Sequence, residues 1–342
     1  MAILLGIFLF LSVMLNLLHW VGGLFFTASA APRAHESGPR LRQVYIEDHR
    51  ADDHIAVLDV DGIIMSGMGS GSTFDLVTLI ESQLKRAEED ASVKAVVLRV
   101  NSPGGEVLAS DNIYRLISDF QTRSHKPVIA SMGSLAASGG YYISAPCRWI
   151  VANELTLTGS IGVIMHGYNY RGLMDKVGIR PEVYKSGRFK NMMSGDRRDE
   201  EIVAEERSMI QGLVDESFNR FKKVIKDGRT NARREDKGSD QGVGLSTNWT
   251  DFADGRVLSG RQALDIGLVD ELGTFKTAVD RAKSLVGIKE ANLIQYIAPF
   301  DLGSLLGLLG KSETPAIKVD VGLDIPKLKA GQPYFLFAPG LR

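Results

Sequence analysis

Short apolar runs alternate along this chain with amphipathic segments, and this alternation restricts the fold more than any other feature. The runs at 55–60, 95–100 and 128–132 consist mainly of Val, Ile, Leu and Ala, as in strands that are buried on both faces. Apolar residues recur at helical spacing in 74–90 and 106–121. Repeated strand–helix units favour a mainly parallel α/β domain, because parallel neighbours need a crossover connection.

Two glycine-rich loops follow the second and third of these strands. Residues 101–105 read Asn-Ser-Pro-Gly-Gly, and residues 136–142 read Ala-Ala-Ser-Gly-Gly-Tyr-Tyr. Glycines let a substrate carbonyl approach closely and leave peptide N–H groups free to point at it. Either loop alone is also typical of a tight turn. Together they favour acyl transfer at Ser138, which opens a helix whose dipole stabilises a developing oxyanion.

The sequence lacks an evident histidine base for Ser138. Four of the six histidines precede residue 55, and neither His125 nor His166 has an aspartate partner or motif nearby, so we interpret both as structural or surface residues. Lysine is the known substitute, provided that burial or nearby cations keep its amine neutral. Lys190 is the best candidate, because residues 184–195 mix Phe and Met side chains with cations. We expect Lys185 to be a solvated charge.

These residues resemble the signal peptide peptidase A family of membrane-bound serine proteases. The matching features occur in the family's order, and Lys190 follows Ser138 by 52 positions, as in that family's Ser-Lys dyad. The resemblance covers about residues 55–282. Its motifs are residues 101–105, 136–142, 158–163 (Thr-Gly-Ser-Ile-Gly-Val), 255–264 and 267–273.

The resemblance implies a role for each matching residue. Ser138 would be the nucleophile and Lys190 the general base and later general acid. The N–H groups of Gly139 and Gly105 would form the oxyanion hole, and Ser160 would hydrogen-bond to and orient Lys190. Ser160 also fits ordinary turn chemistry. The implied fold is the Clp protease/crotonase type, with repeated β-β-α and β-α units and a mainly parallel sheet, which builds homo-oligomers.

The amino terminus predicts a membrane anchor. Residues 2–26 carry no charge and are long enough to span a bilayer as one helix. The small residues at 28–30 resemble a signal-peptide cleavage site, but a positive n-region is missing and the apolar run is long for a signal peptide. We therefore expect a retained single-pass anchor in the plasma membrane. Arginines at 33, 40, 42 and 50 favour a cytoplasmic catalytic domain, but large domains can be translocated despite such charges, so the side stays open.

The predicted organisation is an anchor at 1–27, a linker at 28–53, a peptidase domain at 54–286 and a C-terminal extension at 287–342. A long amphipathic helix is expected at 197–227, packed on its own core or on a partner. The polar, glycine-rich stretch at 228–248 predicts a mobile loop. The apolar residues 334–339 could pack on a neighbouring subunit, lie on the membrane or occupy the substrate groove.

The reading that unites these features is a membrane-anchored serine endopeptidase acting on hydrophobic peptides; the family implies remnant signal peptides as substrates. A crotonase-like acyl-CoA enzyme and a catalytically silent membrane scaffold remain alternatives.

The net charge of −1 gives no reason to expect nucleic acid. The sequence contains no metal-ligand cluster, P-loop or dinucleotide fingerprint, so we expect no metal or cofactor. The single cysteine, Cys147, excludes an internal disulfide, and we expect a buried structural thiol.

Overall fold

The computed structural model describes residues 41–67, 75–235, 242–298 and 333–336, together with Ser12, Met14 and Pro39. The chain divides into a unit of residues 1–38 and a unit of residues 39–342. In the first unit, Ser12 and Met14 have helical conformation, and the remainder of the predicted anchor at 1–27 lies outside the described residues. A search of the described residues finds no helix that is both long and apolar enough to cross a membrane.

Two sheets form the second unit within the described residues. The larger has nine strands. They are β1 (Arg42–Glu47), β2 (His54–Asp61), β3 (Val93–Ser102), β5 (Val128–Ala137), β6 (Trp149–Ala152), β7 (Leu157–Gly159), β9 (Val257–Ser259), β10 (Glu271–Leu272) and β11 (Asn292–Ile297). The smaller sheet contains β4 (Gly104–Glu106), β8 (Ile164–Met165) and β12 (Pro333–Leu336).

The larger sheet is mostly parallel, as the sequence predicts. Its order is β1-β11-β2-β3-β5-β6-β10, and β7 lies between β5 and β9. The β1/β11 and β7/β9 pairs are antiparallel and the other pairs are parallel. The predicted strands at 55–60, 95–100 and 128–132 are confirmed as parts of β2, β3 and β5.

Helices cover both faces of the larger sheet. They are α1 (Leu76–Glu89), α2 (Val107–Ser124), α3 (Gly139–Ser144), α4 (Arg171–Lys176), α5 (Ala204–Arg234), α6 (Gly260–Asp265) and α7 (Phe275–Val286), with short 3-10 turns at Asp199–Glu201 and Trp249–Phe252. Alternate residues of β2 serve different cores, since Ala56 and Leu58 lie in the cluster with α1 and α2, whereas Ile55 and Val57 lie in the cluster with α7.

The long helix differs in position from its prediction. α5 begins at Ala204 rather than at residue 197, because Arg197 turns back to pair with Glu206 near the start of the helix. α5 also contains the first seven residues of the predicted 228–248 loop, up to Arg234. Gly228 lies so close to the carbonyl of Ala145 that a Cβ would collide with it. Of that predicted loop, residues 236–241 lie outside the described residues.

Both ends of the domain also extend beyond the sequence-based boundaries. β1 lies in the segment expected to be a linker, and β11 lies in the segment expected to be a C-terminal extension. These two strands pair with each other, and β11 pairs with β2. The partners of β1 and β11 are distant in sequence, so the local sequence pattern does not predict these pairings.

Candidate active site

Ser138 sits on a strained turn between β5 and α3. Its φ and ψ are 55° and −116°, a conformation that L residues rarely adopt. The Ser138 N–H donates to the Gly159 carbonyl at 2.8 Å, and only 1% of the residue is exposed. A strained strand-to-helix turn is the arrangement that presents a nucleophile at the end of a sheet. Backbone strain of this kind is typical of functional sites.

The two glycine loops meet beside Ser138. A Cβ built on Gly104, whose φ is 97°, would lie 2.5 Å from the Gly139 nitrogen. A Cβ on Gly139 would lie 3.1 Å from the Gly105 nitrogen. Ser102 fixes the first loop, because its hydroxyl accepts the Gly104 N–H at 3.0 Å. The structure therefore places the nitrogens of Gly139 and Gly105, the two expected oxyanion donors, next to each other.

Ser160 follows the strand that neighbours Ser138. Ala137 of β5 is in register with Gly159 of β7, so the two serines extend from adjacent parallel strands. Ser160 is 7% exposed, has a φ of 48°, and donates its N–H to the Arg256 carbonyl at 2.8 Å. The structure thus brings Ser160 to the same end of the sheet as Ser138 and the glycine loops.

Lys190 is not brought into contact with these residues. It lies exposed in a turn, where its N–H donates to the Gly187 carbonyl at 3.2 Å. Across the described residues, no hydrogen bond joins Lys190 Nζ to Ser138 or Ser160. Lys185, in the same segment, is exposed and donates to the Asn191 side chain at 2.8 Å.

A buried ion pair holds the segment that carries Lys190 against α5. Arg197 donates to both carboxylate oxygens of Glu206, at 2.6 and 2.8 Å. Arg197 also donates to the Asn191 carbonyl at 3.3 Å, and Glu206 accepts the Met193 N–H at 3.3 Å. The hydrogen bond from Arg197 lowers the pKa of Glu206. This pair therefore fixes the backbone that follows Lys190.

The C-terminal strand β12 runs along the first glycine loop. It pairs antiparallel with β4 on one side and with β8 on the other. Phe335 is opposite Gly105, and its carbonyl oxygen lies where a Cβ of Gly104 would be. The described part of the apolar C-terminal segment, residues 333–336, therefore lies beside the first glycine loop of the same chain.

Models of known protein families match both halves of the domain. The model of Peptidase family S49 matches residues 121–289, and the Clp protease model matches residues 46–148. A putative protease of Synechocystis sp. is 38% identical over 234 residues, which are 68% of this chain and 75% of the relative. A putative signal peptide peptidase SppA of Enterococcus faecium is 37% identical over 258 residues, covering 73% of this chain and 69% of the relative.

The chain belongs to peptidase family S49. This confirms the resemblance that the motifs indicate. A chloroplastic serine protease SPPA of Arabidopsis thaliana is 31% identical over 268 residues, which are 76% of this chain and 37% of that longer relative. The Clp protease match and the mostly parallel sheet agree on the coarse fold of this S49 peptidase.

The sequence-based reasoning missed an aromatic cluster beside Ser138 of this S49 peptidase. The Phe335 ring stacks on Tyr142 with centroids 4.8 Å apart, and it contacts Phe221 at 4.7 Å. The Tyr142 hydroxyl donates to Asp111 at 2.6 Å, and burial raises the pKa of Tyr142. Tyr142 belongs to the Ser138 motif and was visible in the sequence, whereas Phe221 comes from α5 and carries no local signal.

The other nucleophile and base candidates lie elsewhere. Cys147 is fully buried, as expected, and burial raises the pKa of its thiol to about 12. His125 ends α2 in left-handed conformation and donates its N–H to the Gln121 carbonyl at 3.1 Å. Among the described residues there is no group of three or more His, Cys, Asp and Glu side chains that could hold a metal ion.

Proposed function

We propose that this S49 peptidase is a serine endopeptidase with a Ser-Lys dyad. Ser138 is the nucleophile and Lys190 the general base, the N–H groups of Gly139 and Gly105 form the oxyanion hole, and Ser160 orients the lysine. The observation that carries this proposal is the strained turn at Ser138, where both glycine loops meet beside the chain's own strand β12.

The proposed reaction has two steps through an acyl-enzyme. Ser138 Oγ attacks the substrate carbonyl while Lys190 Nζ takes its proton, and the oxyanion accepts hydrogen bonds from Gly139 and Gly105. The C–N bond then breaks, and the lysine ammonium gives its proton to the leaving amine. In the second step Lys190 takes a proton from water, the hydroxide attacks the ester, and the proton returns to Ser138.

The exposed position of Lys190 supports a homo-oligomeric active form. A lysine serves as a base only in its neutral form, which apolar or cationic surroundings favour. The neighbouring segment 168–184 exposes large apolar side chains, including Tyr184 at 92%. We propose that a second copy of the chain covers this segment and completes the environment of Lys190. The other exposed members are Tyr168, Tyr170, Leu173, Val177, Ile179 and Val183.

Hydrophobic peptides are the proposed substrates. Within β12 the sequence Tyr-Phe-Leu is held as an antiparallel strand between β4 and β8, which is the way a groove takes up an extended peptide. The name of the Enterococcus faecium relative, a putative signal peptide peptidase, supports remnant signal peptides. The uncharged stretch 2–26 supports a single-pass membrane anchor, and the arginines that follow it lean toward a cytoplasmic catalytic domain.

Peptide hydrolysis by the wild type and by single-residue variants tests this function. The full chain should cleave an apolar reporter peptide, and Ser138→Ala and Lys190→Ala should each abolish cleavage, whereas Lys185→Ala should retain it. An acyl-CoA thioester assayed in parallel should not be hydrolysed. Cleavage that persists in Ser138→Ala, or thioester hydrolysis that exceeds peptide hydrolysis, would contradict the proposal and favour a crotonase-like enzyme. A folded wild type that hydrolyses neither substrate would favour the alternative of a catalytically silent membrane scaffold.

A further inference from the structure

A cavity of about 690 Å³ lies between the long helix α5 and the segment 245–250. We infer that this cavity binds a phosphate group, which is either free in solution or the headgroup of a phospholipid. None of the lining residues belongs to the proposed peptidase site, so the inference stands apart from the proposed function.

One wall of the cavity is a stripe of polar side chains along α5. Lys222, Lys226 and Thr230 all line the cavity and are spaced four residues apart, so they lie on one face of the helix. The neighbouring residues Phe221 and Ile225 are fully buried in the main core. The core therefore holds α5 in place, and the stripe faces the cavity.

The two lysines of this stripe have no carboxylate partner among the described residues. Lys222 Nζ lies 4.4 Å from the centroid of the Phe218 ring, and Lys226 is exposed. Only the third lysine of the cavity is paired, since Lys223 donates to Asp227 at 2.5 Å. The walls thus carry three lysines and one aspartate, a net charge of +2. This charge favours an anionic ligand.

The segment 245–250 adds hydrogen-bond donors that have no partner. Ser246 Oγ is buried and bonds to no described residue, although its backbone is fixed by the Ser246 N–H, which donates to the Ile266 carbonyl at 3.0 Å. Trp249 is only 7% exposed, and its indole N–H donates to nothing in the described part of the chain. Buried donors without a partner are rare, because they lose the hydrogen bonds that they would make to water. A ligand with several acceptor oxygens would supply the missing partners.

A phosphate group matches these walls better than a carboxylate does. A phosphate monoester carries a charge of about −1.5 to −2 at pH 7 and three acceptor oxygens, whereas a carboxylate carries a single charge and two oxygens. The larger charge balances the net charge of the walls, and the additional oxygen accepts a further donor. Lysine binds phosphate as a point charge, so flexible lysines on a helix are suited to it.

Titration calorimetry of the full chain in non-ionic detergent tests the cavity. Inorganic phosphate is titrated into the wild type, into Lys222→Gln/Lys226→Gln and into the control Arg207→Gln/Lys289→Gln, with succinate as a carboxylate probe. The control removes the same charge from exposed positions outside the cavity, and Arg207 lies on the same helix. Melting temperatures confirm that each variant is folded.

We expect saturable binding of phosphate to the wild type and to the control. The lysine variant should bind phosphate at least about tenfold more weakly, and the wild type should bind succinate at least about tenfold more weakly than phosphate. Ser246→Ala should also weaken phosphate binding, by about threefold or more. No saturable binding to the folded wild type, or equal affinity in the lysine variant, would overturn the inference. Succinate binding as tight as phosphate binding would overturn the assignment of phosphate.

Competition with a lipid distinguishes the two sources of the phosphate. The titration of the wild type is repeated in micelles that contain phosphatidic acid, and in micelles that contain the same proportion of oleate, which is anionic but has no phosphate. If a headgroup is the ligand, phosphatidic acid should weaken the binding of inorganic phosphate at least about tenfold more than oleate does. If free phosphate is the ligand, the two lipids should have the same effect, which would overturn the headgroup as the occupant.

Discussion

The region around Ser138 and the segment around Lys190 differ in how completely one chain builds them. Ser138, Gly139 and Ser160 are buried at strand ends, where neighbouring strands fix their backbones. Lys190 is exposed, and its segment is held by local turns and by two ion pairs to α5, the exposed Arg188–Glu205 pair and the buried Arg197–Glu206 pair. The sheet alone therefore brings the proposed nucleophile and oxyanion donors together, whereas the proposed base would need a partner or a movement to reach them.

The largest expected effect comes from the buried half. Ser138→Ala should lower kcat/KM for an apolar peptide by about 10⁴-fold or more, because it removes the hydroxyl that would form the proposed acyl-enzyme. The rate is measured on the full chain, and the melting temperature serves as the control for folding. A residual rate above about 1% of wild type would place the nucleophile elsewhere.

The glycine loops allow a matched pair of substitutions in the two regions. Gly104→Ala should lower kcat by about 10²–10³-fold, since its methyl group would push against the Gly139 nitrogen and its φ of 97° disfavours alanine. Gly212→Ala, in the helix α5 against which the Lys190 segment is held, meets nothing within 4 Å and should leave kcat unchanged. An equal loss of kcat in the two variants would contradict a special role for the glycine loop at Ser138.

Removing a buried ion pair should lower the free energy of unfolding more than removing an exposed one. The buried Arg229 pairs with Asp270 and donates to the Cys147 carbonyl at 3.1 Å. Arg229→Ala should lower the free energy of unfolding by about 3–5 kcal/mol, because the Asp270 carboxylate loses its cationic partner inside the core. Arg188→Ala removes the exposed pair with Glu205 in the Lys190 segment and should change stability little. Urea unfolding of both variants checks this difference.

The β12 strand should inhibit peptide hydrolysis at Ser138. Phe335→Asp in the full chain, or removal of residues 331–342, should raise peptide hydrolysis by about threefold or more, because the competing strand leaves the cleft. Steady-state rates at substrate concentrations below KM measure this effect. Unchanged rates in both variants would show that β12 does not compete with substrate.

The smallest expected effect is a pH dependence at Asp111, which accepts a hydrogen bond from Tyr142 of the aromatic cluster. Burial raises the pKa of Asp111, but hydrogen bonds from Tyr142, Arg115 and Arg220 outweigh it and hold that pKa below its usual range. The carboxylate therefore stabilises the fold above the unfolded pKa, and this contribution is lost as the pH falls through the lower, folded pKa. Asp111→Asn should lower the melting temperature at pH 7, and the difference from wild type should narrow below about pH 4. Asp119→Asn, on the exposed face of the same helix, is the control and should change the melting temperature at pH 7 little.

Local patterns predicted one half of the molecule better than the other. The strands β2, β3 and β5 and the turn at Ser138 follow from apolar runs and glycines that lie next to each other in sequence. β1, β11 and β12 pair with residues that are distant in the chain, so no local signal marks them. The start of α5 depends on the Arg197–Glu206 pair, and Phe221 reaches Tyr142 and Phe335 only through tertiary packing.

Active-site labelling tests the Ser-Lys dyad most directly. The folded full chain, Lys190→Ala and Lys185→Ala are exposed to a fluorophosphonate, and intact mass and peptide mapping locate the adduct. The account predicts an adduct on Ser138 in wild type and in Lys185→Ala, and a much slower reaction in Lys190→Ala. No adduct on Ser138 in the folded wild type, or equal labelling in Lys190→Ala, would contradict it.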